Sequence, residues 1–248
     1  MLVDWIVPEW PCPPWVKACS TTRLGGFSRA PFDSFNLAQH VGDESGAVAQ
    51  NRFYLRNILE LPVEPLWLEQ VHSDIVVDAA TAVAGETADA SYSFSTAAVC
   101  VVMTADCLPV LLTDRKGTCV AAIHAGWRGL EKGIITNTIA KLTRPGMELL
   151  AWLGPAIGPS AFEVGEDVYH AFIAKNPDSA TAFQPRGDKK WMLNIYQLAR
   201  QELIRQGVNE IYGGGLCTYS DFNRFYSYRR DGRTGRMATL IWLDNRDR

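Results

Sequence analysis

The stretch AAVCVVMTADCLPVLLTDRKGTCVAAIHAGWRG, residues 97–129, decides the fold. It contains three apolar runs with the length and composition of buried β-strands, at residues 97–104, 108–113 and 118–124. The first two runs are separated by residues 105–107, and Pro109 cannot donate a hydrogen bond to a sheet ladder. We therefore expect an interrupted or bulged strand near Cys107. Such a break allows a side chain to be directed out of the sheet.

The patterns on either side of this stretch predict the other elements. Apolar residues at helical spacing predict helices at residues 46–60, with Ser45 as the N-cap, and at roughly 130–142, 166–175 and 195–206. Further strands are predicted at residues 65–71, 148–153, 210–212, 225–228 and 237–243, and residues 19–28 are predicted to form a strand that ends in a Gly-Gly turn. Strands outnumber helices and do not alternate with them strictly. This order favours an α/β layered sandwich with mixed sheets over a doubly wound parallel sheet.

Composition excludes several classes of protein. The chain has 248 residues, of which 47% are hydrophobic, and a formal net charge of -3. This charge provides no basic field for nucleic acid or an anionic membrane, so neither is an expected partner. No signal peptide is evident, and no apolar stretch reaches the roughly 18 residues that a membrane span needs. We therefore expect a cytoplasmic protein, in which the six cysteines are not paired as disulfides.

Three residues are the strongest candidates for chemistry, and each ends or lies within a predicted strand. Cys107 follows the broken strand, His124 lies in the run 118–124, and His72 follows the strand predicted at 65–71. A thiol and an imidazole that meet in space form either a nucleophile with its base or a pair of metal ligands. A third donor favours metal, because catalytic Zn²⁺ keeps one open position above three protein ligands. Cu²⁺ also suits these ligands.

Charged residues beside the predicted strands are candidates for binding a substrate. Arg23 in TTRLGG and Arg128 in HAGWRG lie next to glycines, and arginine suits bidentate recognition of phosphate. Arg229 lies in the basic loop SYRRDGRTGR, where anion binding competes with an ordinary solvated turn. Glu163 is a candidate for proton transfer or for a ribose contact. Asp106 could orient a ligand or stabilise the break in the strand.

Several motifs together resemble one known family. They are STTRLGG (20–26), FNLAQHVGD (35–43), LEQVH (68–72), ADASYS (88–93), MTADCLPVLL (103–112), AAIHAGWRG (121–129), WLGPAIGP (152–159), FEVG (162–165) and SYRRDGRTGRMA (227–238). These motifs resemble those of the YfiH-like family, whose members are also labelled laccase-domain or multicopper polyphenol oxidase proteins. The resemblance implies a single-domain α/β/β/α sandwich over residues 1–248, similar to the catalytic domain of cytotoxic necrotizing factor toxins. It also implies a metal held by His72, Cys107 and His124.

The resemblance also implies an activity. Family members are assigned purine nucleoside phosphorolysis on adenosine, inosine and methylthioadenosine, with adenosine deamination as an accompanying activity. True laccase chemistry needs about ten histidines for its coppers, because imidazole is the usual ligand, and this chain has four. The main alternative is a metal-free cysteine hydrolase or amidase, with Cys107 as nucleophile and His124 as base, acting in peptidoglycan editing. A non-enzymatic binding module is a further alternative, and the sequence leaves the oligomeric state open.

Overall fold

The structure is a computed structural model that describes residues 4–244 and residue 246. Its strands are β1 (Trp5–Ile6), β2 (Val16–Thr21), β3 (Val76–Asp78), β4 (Ala90–Ser93), β5 (Val99–Thr104), β6 (Leu108–Asp114), β7 (Val120–Ala125), β8 (Leu149–Leu153), β9 (Glu163–Gly165), β10 (Phe183–Gly187), β11 (Lys190–Leu193), β12 (Glu210–Gly213) and β13 (Met237–Leu243). Its α-helices are α1 (Ser45–Ile58), α2 (Trp127–Lys132), α3 (Ile134–Leu142), α4 (Glu166–Lys175), α5 (Ile195–Arg205) and α6 (Tyr228–Asp231). Short 3₁₀ helices cover Gly146–Glu148 and Pro177–Ala182.

Two large sheets form the centre of the fold. One has four strands in the order β1-β2-β13-β5, and the other has six in the order β12-β8-β6-β7-β4-β3. The six-stranded sheet is mixed, because β12 pairs parallel to β8 whereas β6 and β7 pair antiparallel. Strand β5 therefore belongs to one sheet and β6 to the other. The interruption predicted near Cys107 is the point at which the chain crosses between the two sheets.

The sheets lie face to face and carry helices on their outer sides. Because side chains alternate along a strand, Cys100 and Val102 of β5 pack between the sheets, against Leu111 of β6. Val101, on the opposite face of β5, packs with Leu55 of α1. The outer face of the six-stranded sheet is covered by α2–α5, and the cluster there includes most of the buried residues of these helices. The four layers are those of the expected α/β/β/α sandwich.

Helix predictions were confirmed with changes at their ends. Helices α4 and α5 occupy the ranges predicted for them. The helix predicted at 130–142 is two helices, since Gly133 has φ +102° and interrupts the hydrogen-bonding pattern between α2 and α3. The prediction that Ser45 caps α1 was wrong: the N-cap is Glu44, and no side chain there makes a capping hydrogen bond.

Three strand predictions were wrong in whole or in part. The strand predicted at 19–28 ends with β2 at Thr21, before the Gly-Gly turn. Residues 65–71 form only isolated bridges, because the Gln70 side chain takes the place of a backbone partner: it donates to the Met103 carbonyl and accepts from the Met103 N–H. Residues 225–227 form a buried loop that leads into α6, and Tyr228 is the first residue of that helix. The described residues include no helix long and apolar enough to cross a membrane.

Candidate active site

The structure brings together the three residues singled out as candidate metal ligands. Cys107 Sγ lies 3.5 Å from Nε2 of His72. The rings of His72 and His124 meet edge to face with their centroids 4.7 Å apart. One donor atom from each of the three residues lies within 4.8 Å of the other two. In the described part of the chain, they form the only such cluster of three or more metal-donor side chains.

Each candidate ligand is positioned by a different local feature of the backbone. Cys107 lies in the crossing between β5 and β6, directly before Leu108. His124 is the fifth residue of β7 and is buried, with 4% of its surface exposed. His72 has φ +60°, in the left-handed region that non-glycine residues rarely adopt. This conformation turns its side chain toward the other two residues after the chain leaves Gln70.

Asp89 holds two of the three residues in place, and the sequence reading assigned it no role. Its Oδ1 accepts hydrogen bonds from His124 Nδ1 at 2.7 Å and from the His72 N–H at 3.0 Å. Its Oδ2 accepts from the N–H and the hydroxyl of Ser73, at 2.6 and 2.7 Å. The carboxylate is fully buried. Since Nδ1 of His124 is bonded to Asp89, the other ring nitrogen, Nε2, remains available as a ligand.

The side chains of the site shift one another's pKa values. Burial raises the pKa of Cys107, but the neighbouring His124 and His72 outweigh this effect and lower it well below the usual range. Burial lowers the pKa of His124, but Cys107 and Asp89 outweigh this effect and raise it. Burial also raises the pKa of Asp89, whereas its hydrogen bonds to His124 and Ser73 bring it down to about 2. The charged forms of Cys107 and His124 therefore stabilise each other, which favours the Cys107 thiolate at neutral pH.

The donor set fits a divalent metal ion. One thiolate and two imidazoles are ligands that Zn²⁺ prefers, and Cu²⁺ also accepts them. Gly126 keeps the space beside them free: a Cβ at this position would lie 2.7 Å from Cδ2 of His72 and 3.1 Å from Sγ of Cys107. A side chain there would therefore displace two of the three donors.

Replacing Gly126 by alanine should lower metal affinity by about 10-fold or more, the scale seen when residues that orient metal ligands are changed. Competition with a chromophoric chelator measures this loss. Gly46→Ala is a matched control, because a Cβ at Gly46 has no neighbour within 4 Å. Equal metal affinity in the two variants would contradict the role given to Gly126.

The cluster opens on a cavity of about 560 Å³. The cavity is lined by aromatic, polar and cationic side chains that include Trp127, Phe162, Tyr228, His40, Gln70, Arg128, Arg229 and Arg236. Aromatic faces of this kind can stack on a purine base. Arginines next to a thiolate and two histidines provide sites for an anion. The cavity therefore combines a metal-type site, stacking surfaces and positive charge.

The other predicted site residues are divided between the cavity and the surface around it. Arg128 and Arg229 line the cavity. Arg23 is held by Asp33, whose carbonyl and carboxylate accept from its guanidinium at 2.9 and 3.2 Å, and is not among the described lining residues. The carboxylate of Glu163 forms an ion pair with Arg186 at 3.7 Å, and its carbonyl accepts from Arg229 Nη1 at 2.8 Å.

Arg236 is a cavity residue that the sequence reading did not single out. It is only partly exposed, its Nη1 donates to the carbonyls of Thr234 and Gly235, and burial lowers the pKa of its guanidinium. The charges of Cys107 and Asp106 act on this pKa in the opposite direction, and Arg236 lines the same cavity as His72, Cys107 and His124. The repeated arginines of SYRRDGRTGR were the available signal, but the sequence could not tell which of them face inward.

The fold and the site together define a class of protein: a layered α/β sandwich with a His/Cys/His cluster at the crossing between its two sheets. Residues 17–244 match the family model described as multi-copper polyphenol oxidoreductase laccase. The chain belongs to this laccase-like family, which is the YfiH-like family indicated by its motifs.

Relatives and solved structures match the chain over nearly its full length. The purine nucleoside phosphorylase YfiH of Escherichia coli K12 is 52% identical over 239 residues, which cover 96% of this chain and 98% of the relative. A purine nucleoside phosphorylase of Pseudomonas aeruginosa is 52% identical over 242 residues, covering 97% and 99%. The crystal structure of a Neisseria meningitidis protein has a TM-score of 0.95 and 50% identity, covering 98% of this chain and 100% of that one. YlmD from Geobacillus stearothermophilus has a TM-score of 0.89 and 28% identity, covering 96% and 94%.

Proposed function

We propose that the protein is a zinc-dependent purine nucleoside phosphorylase that acts in the cavity beside His72, Cys107 and His124. The observation that carries this proposal is the joint presence of the three-donor cluster and three arginines that line the same cavity. The names of the relatives at 52% identity support the reaction class. Release of free purine and ribose 1-phosphate from inosine or adenosine, only when phosphate is present, tests the proposal.

The reaction requires a phosphate oxygen to form a bond to C1′ of the ribose while the bond from C1′ to the purine nitrogen breaks. The electron pair of that bond leaves with the purine. Arg128, Arg229 and Arg236 line the cavity, and their charges would bind and orient the attacking phosphate. Trp127 and Phe162 would hold the purine by stacking. Zn²⁺, when bound by His72, Cys107 and His124, would supply Lewis acidity next to these groups.

Several finer assignments belong to the same proposal. We infer that adenosine, inosine and methylthioadenosine are substrates and that adenosine deamination accompanies phosphorolysis at the same cluster. Cu²⁺ is the alternative metal, and residues 1–248 act as one catalytic domain in the cytoplasm. Nucleoside and phosphate are the proposed partners, without nucleic acid or a membrane. Laccase chemistry as the main activity disagrees with the four histidines of the chain.

The arginines are tested by their effect on phosphate. Arg236→Gln should raise the KM for phosphate by about 10-fold, because a charge-assisted hydrogen bond contributes about 1.5–3 kcal/mol. Arg128→Gln and Arg229→Gln should act in the same direction, with less effect on the KM for inosine. Arg23→Gln decides whether Arg23, predicted from sequence to bind phosphate, has that role despite its bonds to Asp33. An unchanged phosphate KM in all three cavity variants would refute the proposed phosphate site.

A cysteine hydrolase or amidase is the second candidate function. It is favoured by the contact of Cys107 Sγ with His72 Nε2 at 3.5 Å and by the lowered pKa of the Cys107 thiol. In this alternative the thiolate attacks the amide carbonyl carbon, and the C–N bond breaks as a histidine protonates the leaving amine. Water then hydrolyses the thioester, which releases the acid and the thiolate without metal. His124, the base predicted from sequence, is bonded to Asp89 in the manner of an oriented general base.

Thiol alkylation separates the two functions. If Cys107 binds metal, iodoacetamide should modify it slowly in the protein as purified and at least about 10-fold faster after chelation, because a coordinated thiolate is protected. Peptide mapping distinguishes Cys107 from Cys12, which is half-buried elsewhere and serves as an internal control. Fast modification of Cys107 that is unaffected by chelator and by added Zn²⁺ would favour the cysteine hydrolase.

A further inference from the structure

Asp106 is a buried carboxylate that joins two walls of the cavity. Its Oδ1 accepts a hydrogen bond from the hydroxyl of Thr218 at 2.6 Å. Its Oδ2 accepts from the hydroxyl of Ser227 at 3.0 Å and from the N–H of Arg229 at 2.7 Å. Only 9% of the residue is exposed. All three donors lie in residues 217–231, which we call the basic segment.

The backbone of Asp106 lies in the crossing between β5 and β6, next to Cys107. Its carbonyl accepts a hydrogen bond from the N–H of Ile157 at 2.9 Å, which fixes the crossing to the loop after β8. Cys107, Ile157 and Arg229 all line the cavity. Asp106 therefore connects the crossing that bears the Cys107 thiol with the segment that contributes Arg229 to the cavity.

The conformation of Asp106 separates the role of its side chain from that of its backbone. Its φ is +89°, in the region that favours glycine. If this position were only a tight turn, glycine would serve at least as well as aspartate. The three hydrogen bonds to the carboxylate give a reason for a side chain here in spite of the strained backbone.

We propose that Asp106 is a positioning residue that holds Arg229 and the basic segment at a fixed distance from Cys107, so that bound phosphate lies next to the metal site. The inference rests on the proposed phosphorylase function, because it gives Arg229 the role of holding phosphate. Asp106 itself does not contact the reacting atoms in this account; it acts through Arg229 on one side and Cys107 on the other.

The test compares four variants of the full chain. Asp106→Gly removes the carboxylate and suits φ +89°, Asp106→Asn keeps one acceptor oxygen, and Thr218→Val removes one donor from the opposite side. Asp221→Ala is the matched control: it removes a carboxylate from the same segment, where Asp221 binds Arg224 at 2.7 Å and, within the described part of the chain, makes no hydrogen bond to the crossing. Thr218→Val keeps the test decisive if Asp106→Gly fails to fold.

Two measurements are made on each folded variant. Calorimetric titration with inorganic phosphate gives its Kd, and the absorption spectrum of the protein loaded with Co²⁺ gives the thiolate band, which reports the geometry at Cys107. Asp106→Gly should raise the phosphate Kd by about 10-fold and shift the thiolate band. Asp106→Asn and Thr218→Val should have smaller effects in the same direction, and in steady state the phosphate KM should rise more than the KM for inosine. Asp221→Ala should resemble wild type.

The outcomes separate this proposal from the function on which it rests. If Asp106→Gly and Thr218→Val both keep the wild-type phosphate Kd and thiolate band, the positioning role is wrong although wild type binds phosphate. If wild type itself binds no phosphate, the proposed function fails. The role of Asp106 is then decided by whether the thiolate band shifts in Asp106→Gly and stays unchanged in Asp221→Ala. Equal changes in the phosphate Kd and the thiolate band of Asp106→Gly and Asp221→Ala would also overturn the positioning role. The effect would then be common to any lost carboxylate of the segment.

Discussion

Replacing Cys107 by alanine should abolish both metal retention and phosphorolysis, with a rate at least about 1000-fold below wild type, because a metal ion contributes several kcal/mol of transition-state stabilisation. The physical reason is that only three protein donors converge in the described cluster, so that losing one leaves two imidazoles. Metal content after dialysis and the initial rate with saturating phosphate measure the two effects together.

Cys12→Ala is the control for this variant. Cys12 is also half-buried, but it lies in the N-terminal segment and its thiol donates to the Val16 carbonyl at 3.7 Å. This variant should keep wild-type metal content and rate. A folded Cys107→Ala protein that retains stoichiometric metal and most of its activity would contradict the assignment of the site.

The second large effect is expected at Asp89. Asp89→Asn should lower the free energy of unfolding by about 3 kcal/mol, because an amide nitrogen would face N–H and O–H donors in a buried position. It should also lower metal affinity by about 10- to 100-fold, since His124 loses the carboxylate that orients its ring. Urea unfolding and chelator competition measure the two effects separately.

The pH dependence of this effect has a defined sign. The folded-state pKa of Asp89 is lowered to about 2, below the value of about 3.9 for an unfolded aspartate. The ionised carboxylate therefore stabilises the fold above about pH 4, and this contribution is lost as the pH falls through about 2. The difference in unfolding free energy between wild type and Asp89→Asn should shrink over that range. Asp78→Asn, which removes the charge but keeps an acceptor oxygen for the Ala80 N–H, should leave stability nearly unchanged.

The central layers of the fold were predictable because their signals are local. The three apolar runs of residues 97–124 are strands β5, β6 and β7, in which every side chain is buried. The interruption at 105–107 was also predictable, from Pro109 and the polar residue between the runs. That β5 and β6 belong to different sheets could not be read from the sequence, since sheet membership depends on pairing with β13, far along the chain.

The candidate site divides in the same way. His72, Cys107 and His124 could be proposed as a set because each has a metal-donor side chain beside a predicted strand, and the resemblance of the motifs to a known family implies the same three residues. Asp89 could not be predicted as part of the site, because its position next to His124 follows from the antiparallel register that pairs Ala90 with Ile123. The inward position of Arg236 likewise depends on β13, which begins at the following residue. The positions of Asp89 and Arg236 both depend on pairing between strands that are distant in sequence, and local patterns do not determine this pairing.

The most direct test of the proposed function is product analysis by chromatography with mass detection. Inosine and adenosine are incubated with wild-type protein, with and without phosphate, and with Cys107→Ala as the control. The phosphorylase account predicts free base and ribose 1-phosphate only when both phosphate and Cys107 are present, and inosine from adenosine even without phosphate. No product in any of these incubations would contradict the account, and peptide and amide substrates would then test the cysteine hydrolase.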